Sequence, residues 1–270
     1  MTHSVYHRYL GALRISKSKP GLASLTEIIK AHLMHVPFEN ISKFYYLKNF
    51  DIKSIPDFEL YVDGIIKYNF GGTCYSNNYY LNKLLNFLGY HVRLCGADMA
   101  NPDVHVVNIV EINHREYLVD VGYAAPFYHP IPLDLPKNYE LIFGRDKYIL
   151  KPKDKRNYSE LQLIRNAKNK HGYIVKPHPR SIKEFETAIE DSMKSTATFL
   201  NAVLLVKYVE NSSVVIHNFS VIEIEDSNVN KVLLKDKDEL VDQINFKFGI
   251  STDIVKESLS FIKNFNDAWN

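Results

Sequence analysis

A cysteine, a histidine and an aspartate acting together can do acyl chemistry, and this chain holds one well-placed example of each. Cys74 stands behind Gly71, Gly72 and Thr73 in "FGGTCYSNNYYL" and directly before a helix-like run. The glycines allow a turn and close backbone approach, and Thr73 is placed to cap the helix whose first turn carries the cysteine. A helix N-terminus carries about half a positive charge and is one of the settings that lower a cysteine pKa toward neutrality. The thiolate is the nucleophile, so this setting favours reactivity; the plain alternative is a small buried hydrophobe behind a turn. Cys95, inside the alternating "VRLCG", has neither a helix start nor an adjacent base and reads as core filling.

A nucleophilic cysteine needs a base, and the base an orienting acceptor. Among eleven histidines, His105 opens "HVVNIVEINHREYLVDVG", whose two strand-like halves flank Asn113 and His114. If the halves pair antiparallel, a residue-number sum of 225 or 227 leaves His105 and Asp120 on one face, and an even sum separates them. Asp120 follows "YLV" in an apolar run, where a carboxylate is seldom placed without a partner. The alternative is that Asp120 caps the turn "DVGY" and His105 is a satisfied strand-end histidine. None of the other histidines shows H-E-x-x-H or similar ligand spacing, and two cysteines exclude a Cys-rich zinc site, so no metal is expected. The glycines continue into neither a phosphate-loop nor a dinucleotide pattern.

The elements that must position these residues follow from periodicity. "GLASLTEIIKAHLMHVPFENIS" opens with an amphipathic helix that stops at Pro37, and "PDFELYVDGIIKY" reads as a second, with Pro56 in its first turn. A third helix starts at Cys74, buries Leu81, Leu84, Leu85 and Leu88, and stops at Gly89. The period then changes to short strands, among them "YHVRLCGADM", "VHVVNIVEIN", "EYLVDVGY", "KYILKP" and "HGYIVKP". "SIKEFETAIEDSMKS" is helical, with a Ser181–Glu184 capping box. Strands "NAVLLVKYV", "SVVIHNFSVIEIE" and "NKVLL" follow, then helices over 237–249 and 251–265. The order is helical, then mostly β, then mixed.

Basic and acidic side chains, 33 and 31, are interleaved, which argues against nucleic acid or a membrane surface as the main partner. The exception is Lys151 to Lys170, with seven basic residues against Asp154 and Glu160. It reads as a solvated hairpin, with contact to a phosphate-bearing ligand as the alternative. No secretory signal or membrane-length apolar run is seen, so a cytoplasmic, soluble protein is expected.

Several segments resemble the arylamine N-acetyltransferase family in order and spacing: "AHLMHVPFENIS", "GGTCYSNNYYL", "VHVVNIVEINHREYLVDVGY" and, more faintly, "FGIS" near Gly249. The resemblance implies an α+β fold with an N-terminal helical bundle (1–89), a central antiparallel β-barrel (90–180) and a C-terminal α/β lid (181–270), built around a cysteine-protease-like Cys-His-Asp core. It puts the catalytic residues at Cys74, His105 and Asp120, with acetyl-coenzyme A as cosubstrate and an arylamine, hydrazine or N-hydroxyarylamine as acceptor. Glu39 in "VPFEN" and Asn78 match family signatures and are expected to support the site, as are Gly71, Gly72 and Thr73. Phe70, Tyr123 and Phe127 are the candidates for an aromatic acceptor pocket. The chain departs from the family in holding Phe70 and Ser76 where an arginine and a glutamate usually flank the cysteine. The same triad also suits an amide synthase or a cysteine hydrolase or transamidase, and a catalytically impaired ligand-binding homologue would keep the fold alone.

Overall fold

Helical spacing of apolar residues builds α1 (Thr2–Ala12) and α2 (Leu22–His35), the latter burying Leu25, Ile28, Ile29 and Leu33. The computed structural model that shows this describes residues 2–226, 228–262 and 265–266. The chain continues through a two-residue strand β1 (Phe38–Glu39), then α3 (Ile41–Phe50), α4 (Phe58–Tyr68) and α5 (Cys74–Leu88). Pro56 does not enter the first turn of α4 as its sequence suggests. Asp57 takes the N-cap, its side chain accepting from Leu60 N at 2.8 Å, which leaves the proline outside the helix. Gly89 closes α5 in the left-handed region, at φ 91°.

Eight strands follow: β2 (His91–Asp98), β3 (His105–Ile112), β4 (Arg115–Val119), β5 (Ile131–Pro132), β6 (Tyr139–Phe143), β7 (Asp146–Leu150), β8 (Ser159–Arg165) and β9 (Lys168–Pro179). They form one antiparallel sheet in the order β5-β4-β3-β2-β9-β8-β7-β6, which curls into a nearly closed barrel. Its interior is filled by residues such as Val107, Ile109, Leu118, Leu161 and Tyr173. Cys95 belongs to this core, and burial pushes its thiol up to about 12, the inert setting expected of it. The basic run covers the loop after β7, β8 and the start of β9, which carries Lys168 and Lys170. Much of its charge is paired: Lys151 with Glu160 at 2.9 Å, Lys153 with Glu116 at 2.6 Å and Arg156 with Asp154 at 3.0 Å.

After the barrel the Ser181–Glu184 capping box forms as expected, opening a 3-10 turn that runs into α6 (Glu186–Asp191). Then come β10 (Leu204–Val209), β11 (Ser212–His217), β12 (Ser220–Glu225), β13 (Asn228–Leu233), α7 (Lys237–Phe248) and α8 (Thr252–Leu259). The run "SVVIHNFSVIEIE" is not one strand. It folds back at Asn218, whose φ of 49° lets the chain reverse so that His217 faces Ser220. The last helix stops at Leu259, short of the expected 265; Ser260 Oγ donates to Glu257 O as the helix ends, and Lys263 and Asn264 lie outside the described residues.

The N- and C-terminal parts interlock. The second sheet runs β1-β10-β11-β12-β13, with Phe38 paired to Val206 and Glu39 to Leu205. Ile41, Phe44, Tyr46 and Phe70 pack in one core with Leu240, Ile244 and Val255. Among the described residues no helix is long and apolar enough to cross a membrane.

Candidate active site

The turn before Cys74 is fixed by a neighbour, β1. Gly72 N donates to Pro37 O at 3.4 Å, Glu39 N donates to Gly72 O at 3.1 Å, and Phe38 bridges Gly72 in parallel. A Cβ on Gly71 would lie 1.9 Å from Pro37 O, so close approach is what requires glycine there. Glu39 is wholly buried; its Oε1 accepts from Gly71 N at 3.1 Å and its Oε2 from Ser42 N at 2.9 Å. Burial raises its pKa, and the Ser42 side chain together with those backbone N–H groups opposes the rise. Thr73 occupies the N-cap position by its backbone, but its side chain makes no capping hydrogen bond. Cys74 is the first residue of α5, and its thiol donates to Val104 O across 3.8 Å.

β3 and β4 meet through Asn113 and His114, both left-handed at φ 50° and 62°, the conformation of a two-residue type I′ hairpin. Asn108 faces Val119 and Ile112 faces Arg115, so paired numbers add to 227. Continued one step beyond the strand end, this register sets His105 diagonal to Asp120 on one face. His105 Nε2 lies 2.8 Å from Asp120 Oδ2. Asp120 itself stands just past β4, and both sequence readings of it hold: Oδ2 meets the imidazole while Oδ1 accepts from Gly122 N at 2.9 Å, capping the turn.

Burial acts on this pair first. It would lower the His105 pKa, but the Asp120 charge and hydrogen bond, joined by the hydrogen bond and charge of Cys74, raise it to about 10. Burial would raise the Asp120 pKa, and His105, Asn78 and Tyr173 together hold it below the ordinary carboxylate value. Asn78 sits one turn after Cys74 on α5. Its Nδ2 donates to Asp120 Oδ1 at 2.8 Å and Val106 O at 2.7 Å, while its Oδ1 accepts from Val121 N at 3.0 Å. The helix is thereby pinned to the barrel. Gly122 completes the fit, since a Cβ there would come 2.6 Å from Cys74 Cα.

Two groups near the site had no sequence signal. Tyr173, on β9, donates its hydroxyl to Asp120 Oδ2 at 2.8 Å. Lys43, on α3, donates to Ser192 O at 2.9 Å; burial lowers its pKa to about 8, opposed by the charge of Cys74.

Cys74, His105 and Tyr173 open on a cleft of about 730 Å3, whose other walls include Phe38, Met99 and Phe199. Tyr123 lines it too. Phe70 does not: its ring is fully buried against Tyr45, Tyr46 and Tyr68, where an apolar ring is better placed than in a wet cleft. Phe127 stacks behind Tyr123, centroids 6.2 Å apart, and faces the barrel core. Ser76 packs beside Gly72, so the two departures from the family pattern leave no stranded charge across the turn.

A family model described as N-acetyltransferase matches residues 21–257. The chain is 32% identical over 140 residues to the chicken pineal gland arylamine N-acetyltransferase isozyme NAT-3, covering 49% of this chain and 44% of that protein. It therefore spans less than half of that relative's length. Rabbit arylamine N-acetyltransferase 1 is 25% identical over 217 residues, covering 70% of this chain and 71% of its own. The structure of the Mycobacterium marinum arylamine N-acetyltransferase in complex with CoA superposes with a TM-score of 0.79 at 20% identity, over 95% of this chain and 97% of that one.

Proposed function

The chain belongs to the arylamine N-acetyltransferase family, and from that premise we propose that it moves an acetyl group from acetyl-coenzyme A to an arylamine-type acceptor through a Cys74 thioester. The observation that carries this reading is the buried His105–Asp120 pair, held 2.8 Å apart beside a cysteine at a helix start that opens on the cleft.

The steps balance. The Cys74 thiolate attacks the thioester carbonyl, and the tetrahedral intermediate expels the coenzyme A thiolate, which takes a proton from the His105 imidazolium. One thioester has replaced another. The acceptor amine then attacks acetyl-Cys74 while the now neutral His105 takes the amine proton, and collapse expels the Cys74 thiolate, restoring the ion pair and releasing an amide. Asp120 keeps the imidazole oriented and stabilises its charged form in both halves. The Cys74 backbone N–H, at the positive end of α5, is a candidate donor to the oxyanion. Tyr123, Tyr173 and Phe199 offer an aromatic acceptor apolar faces on which to lie.

Intact-protein mass measurement after mixing with acetyl-coenzyme A tests the reading. One acetyl group should be gained, lost in Cys74→Ala and formed far more slowly in His105→Ala. An arylamine should then remove it faster than water does. Acetylation that persists in Cys74→Ala sinks the proposal, and water outrunning the amine makes the protein a hydrolase.

A further inference from the structure

A second cavity, of about 280 Å3, lies between the barrel and the five-stranded sheet. It shares a wall with the cleft, made by Tyr123, Ala124, Lys170 and His171, and in it Tyr123 Oη and His171 Nδ1 are hydrogen-bonded at 2.8 Å. Four cations line it from four separate places: Arg145 in the β6–β7 turn, Arg165 at the end of β8, Lys170 on β9 and Lys231 on β13. The lining holds one carboxylate, Asp146, and Arg165 donates to both its oxygens through Nε and Nη2. Arg145, Lys170 and Lys231 have no carboxylate partner among the described residues.

Gathering uncompensated like charge around a concave surface costs energy unless an anion is bound, and it focuses a positive potential there. Arg145 registers the crowding: partial burial lowers its pKa and the neighbouring Arg165 charge lowers it further, with the Asp146 charge only partly opposing them. His171 adds no charge, since burial and then Arg165 push it down to about 4. The rim is firmly built. The β6–β7 turn rests on the opposite sheet so closely that a Cβ on Gly144 would meet Ile224 Cγ2 at 2.7 Å. Two members, Arg165 and Lys170, come from the basic run whose charge is otherwise largely paired.

We propose that this cavity binds a phosphate-class anion, held by Arg145, Lys170 and Lys231 with Arg165 kept in place by Asp146. Guanidinium and ammonium groups from converging strands suit a diphosphate, with several charge-assisted hydrogen bonds to its oxygens. The anion has two sources. The phosphates of the acyl donor can reach the cavity past the shared wall, a version that rests on the acyl-transfer reading; free phosphate or pyrophosphate can enter independently of it.

Titration calorimetry of inorganic pyrophosphate into the full chain at low ionic strength is the test. One saturable site is expected, weakened at least tenfold in the double variant Arg145→Gln/Lys231→Gln and weakened by added salt. Absence of saturable binding, or equal binding by a double variant that melts like the parent, overturns the proposal. Coenzyme A in the same cell distinguishes the sources. Displacement of pyrophosphate, with a KM for acetyl-coenzyme A at least fivefold higher in the double variant and kcat unchanged, assigns the site to the donor. Joint occupancy assigns it to a free anion. If pyrophosphate binds while acetyl transfer fails, the functional reading falls and the site stands.

Discussion

His32, on α2, is walled in by the helical core beside the ring of Tyr9, and neither ring nitrogen has a hydrogen-bond partner among the described residues. Burial is then the only influence on it, and it pushes the pKa down to about 3. His105 is just as inaccessible, yet its pKa rises to about 10 because a carboxylate stands 2.8 Å away. Depth sets the size of the penalty on charge; the partner decides whether the charge survives it. The carboxylates repeat the lesson. Glu39, held by backbone N–H groups and no cation, has its pKa raised, whereas Asp120, with an imidazolium beside it, has its pKa lowered.

Asp120→Asn attacks the comparison most directly. It preserves shape and removes the charge, which should turn His105 into a second His32. If Asp120 plays the proposed role, kcat is expected to fall about ten-thousandfold, the scale for replacing a triad aspartate by asparagine. NMR titration should find the imidazole protonating below its ordinary 6.5. If it still titrates near 10, something other than Asp120 holds the charge.

Stability should carry the opposite signs of the two histidines. The His105 contribution is complete below the ordinary 6.5 and is lost as pH rises through about 10. Asp120, with its lowered pKa, contributes above the ordinary 3.8 and loses that contribution as pH falls through the lowered value. His32 is depressed, so its neutral form is favoured in the fold and stability drains away as pH falls from 6.5 toward about 3. Urea unfolding from pH 4 to 10 should show an alkaline loss that Asp120→Asn abolishes and an acid loss that it deepens, because a partnerless His105 adds its own depressed pKa to that of His32. An acid limb that the variant leaves unchanged would show that His105 keeps its raised pKa without Asp120.

Tyr173→Phe sharpens the picture by removing one donor and keeping the ring. A hydrogen bond to a charged group is worth about 1.5–3 kcal/mol, so roughly a tenfold or greater drop in kcat is expected. Unchanged kcat would mean that His105, Asn78 and the Gly122 backbone N–H hold the carboxylate well enough without Tyr173. The smallest effect belongs to His32→Leu, which removes two orphaned nitrogens from an apolar core. It should stabilise the fold by about 1 kcal/mol at pH 7 and by more at pH 5, with activity unaltered. Destabilisation at both pH values would show that the imidazole is needed where it is.

The difference between these histidines was partly legible in the sequence. Nothing marks His32 as inert, but His105 and Asp120 flank a short loop, and Asn-His at the turn tolerates the left-handed backbone that fixes an odd register. The Cys74 helix start could be read because the punctuation is local. Tyr173 could not: it joins Asp120 from 53 residues on, along a strand whose pairing with β2 shifts between Cys95 and Ala97. Phe70 was misplaced for a related reason, because an aromatic beside a nucleophile looks the same in sequence whether it faces substrate or core.

The two residues of β1 bond on one edge to β10 and on the other to the glycines ahead of Cys74. They act as a shared hinge pin, making the C-terminal sheet a brace for the sulfur although it supplies neither base nor carboxylate. A fragment cut before Leu204 would keep Cys74, His105 and Asp120 and lose the sheet against which β1 and the Cys74 turn are set. In this architecture the last quarter of the polypeptide is tooling for a sulfur atom carried by a helix near the other end of the chain.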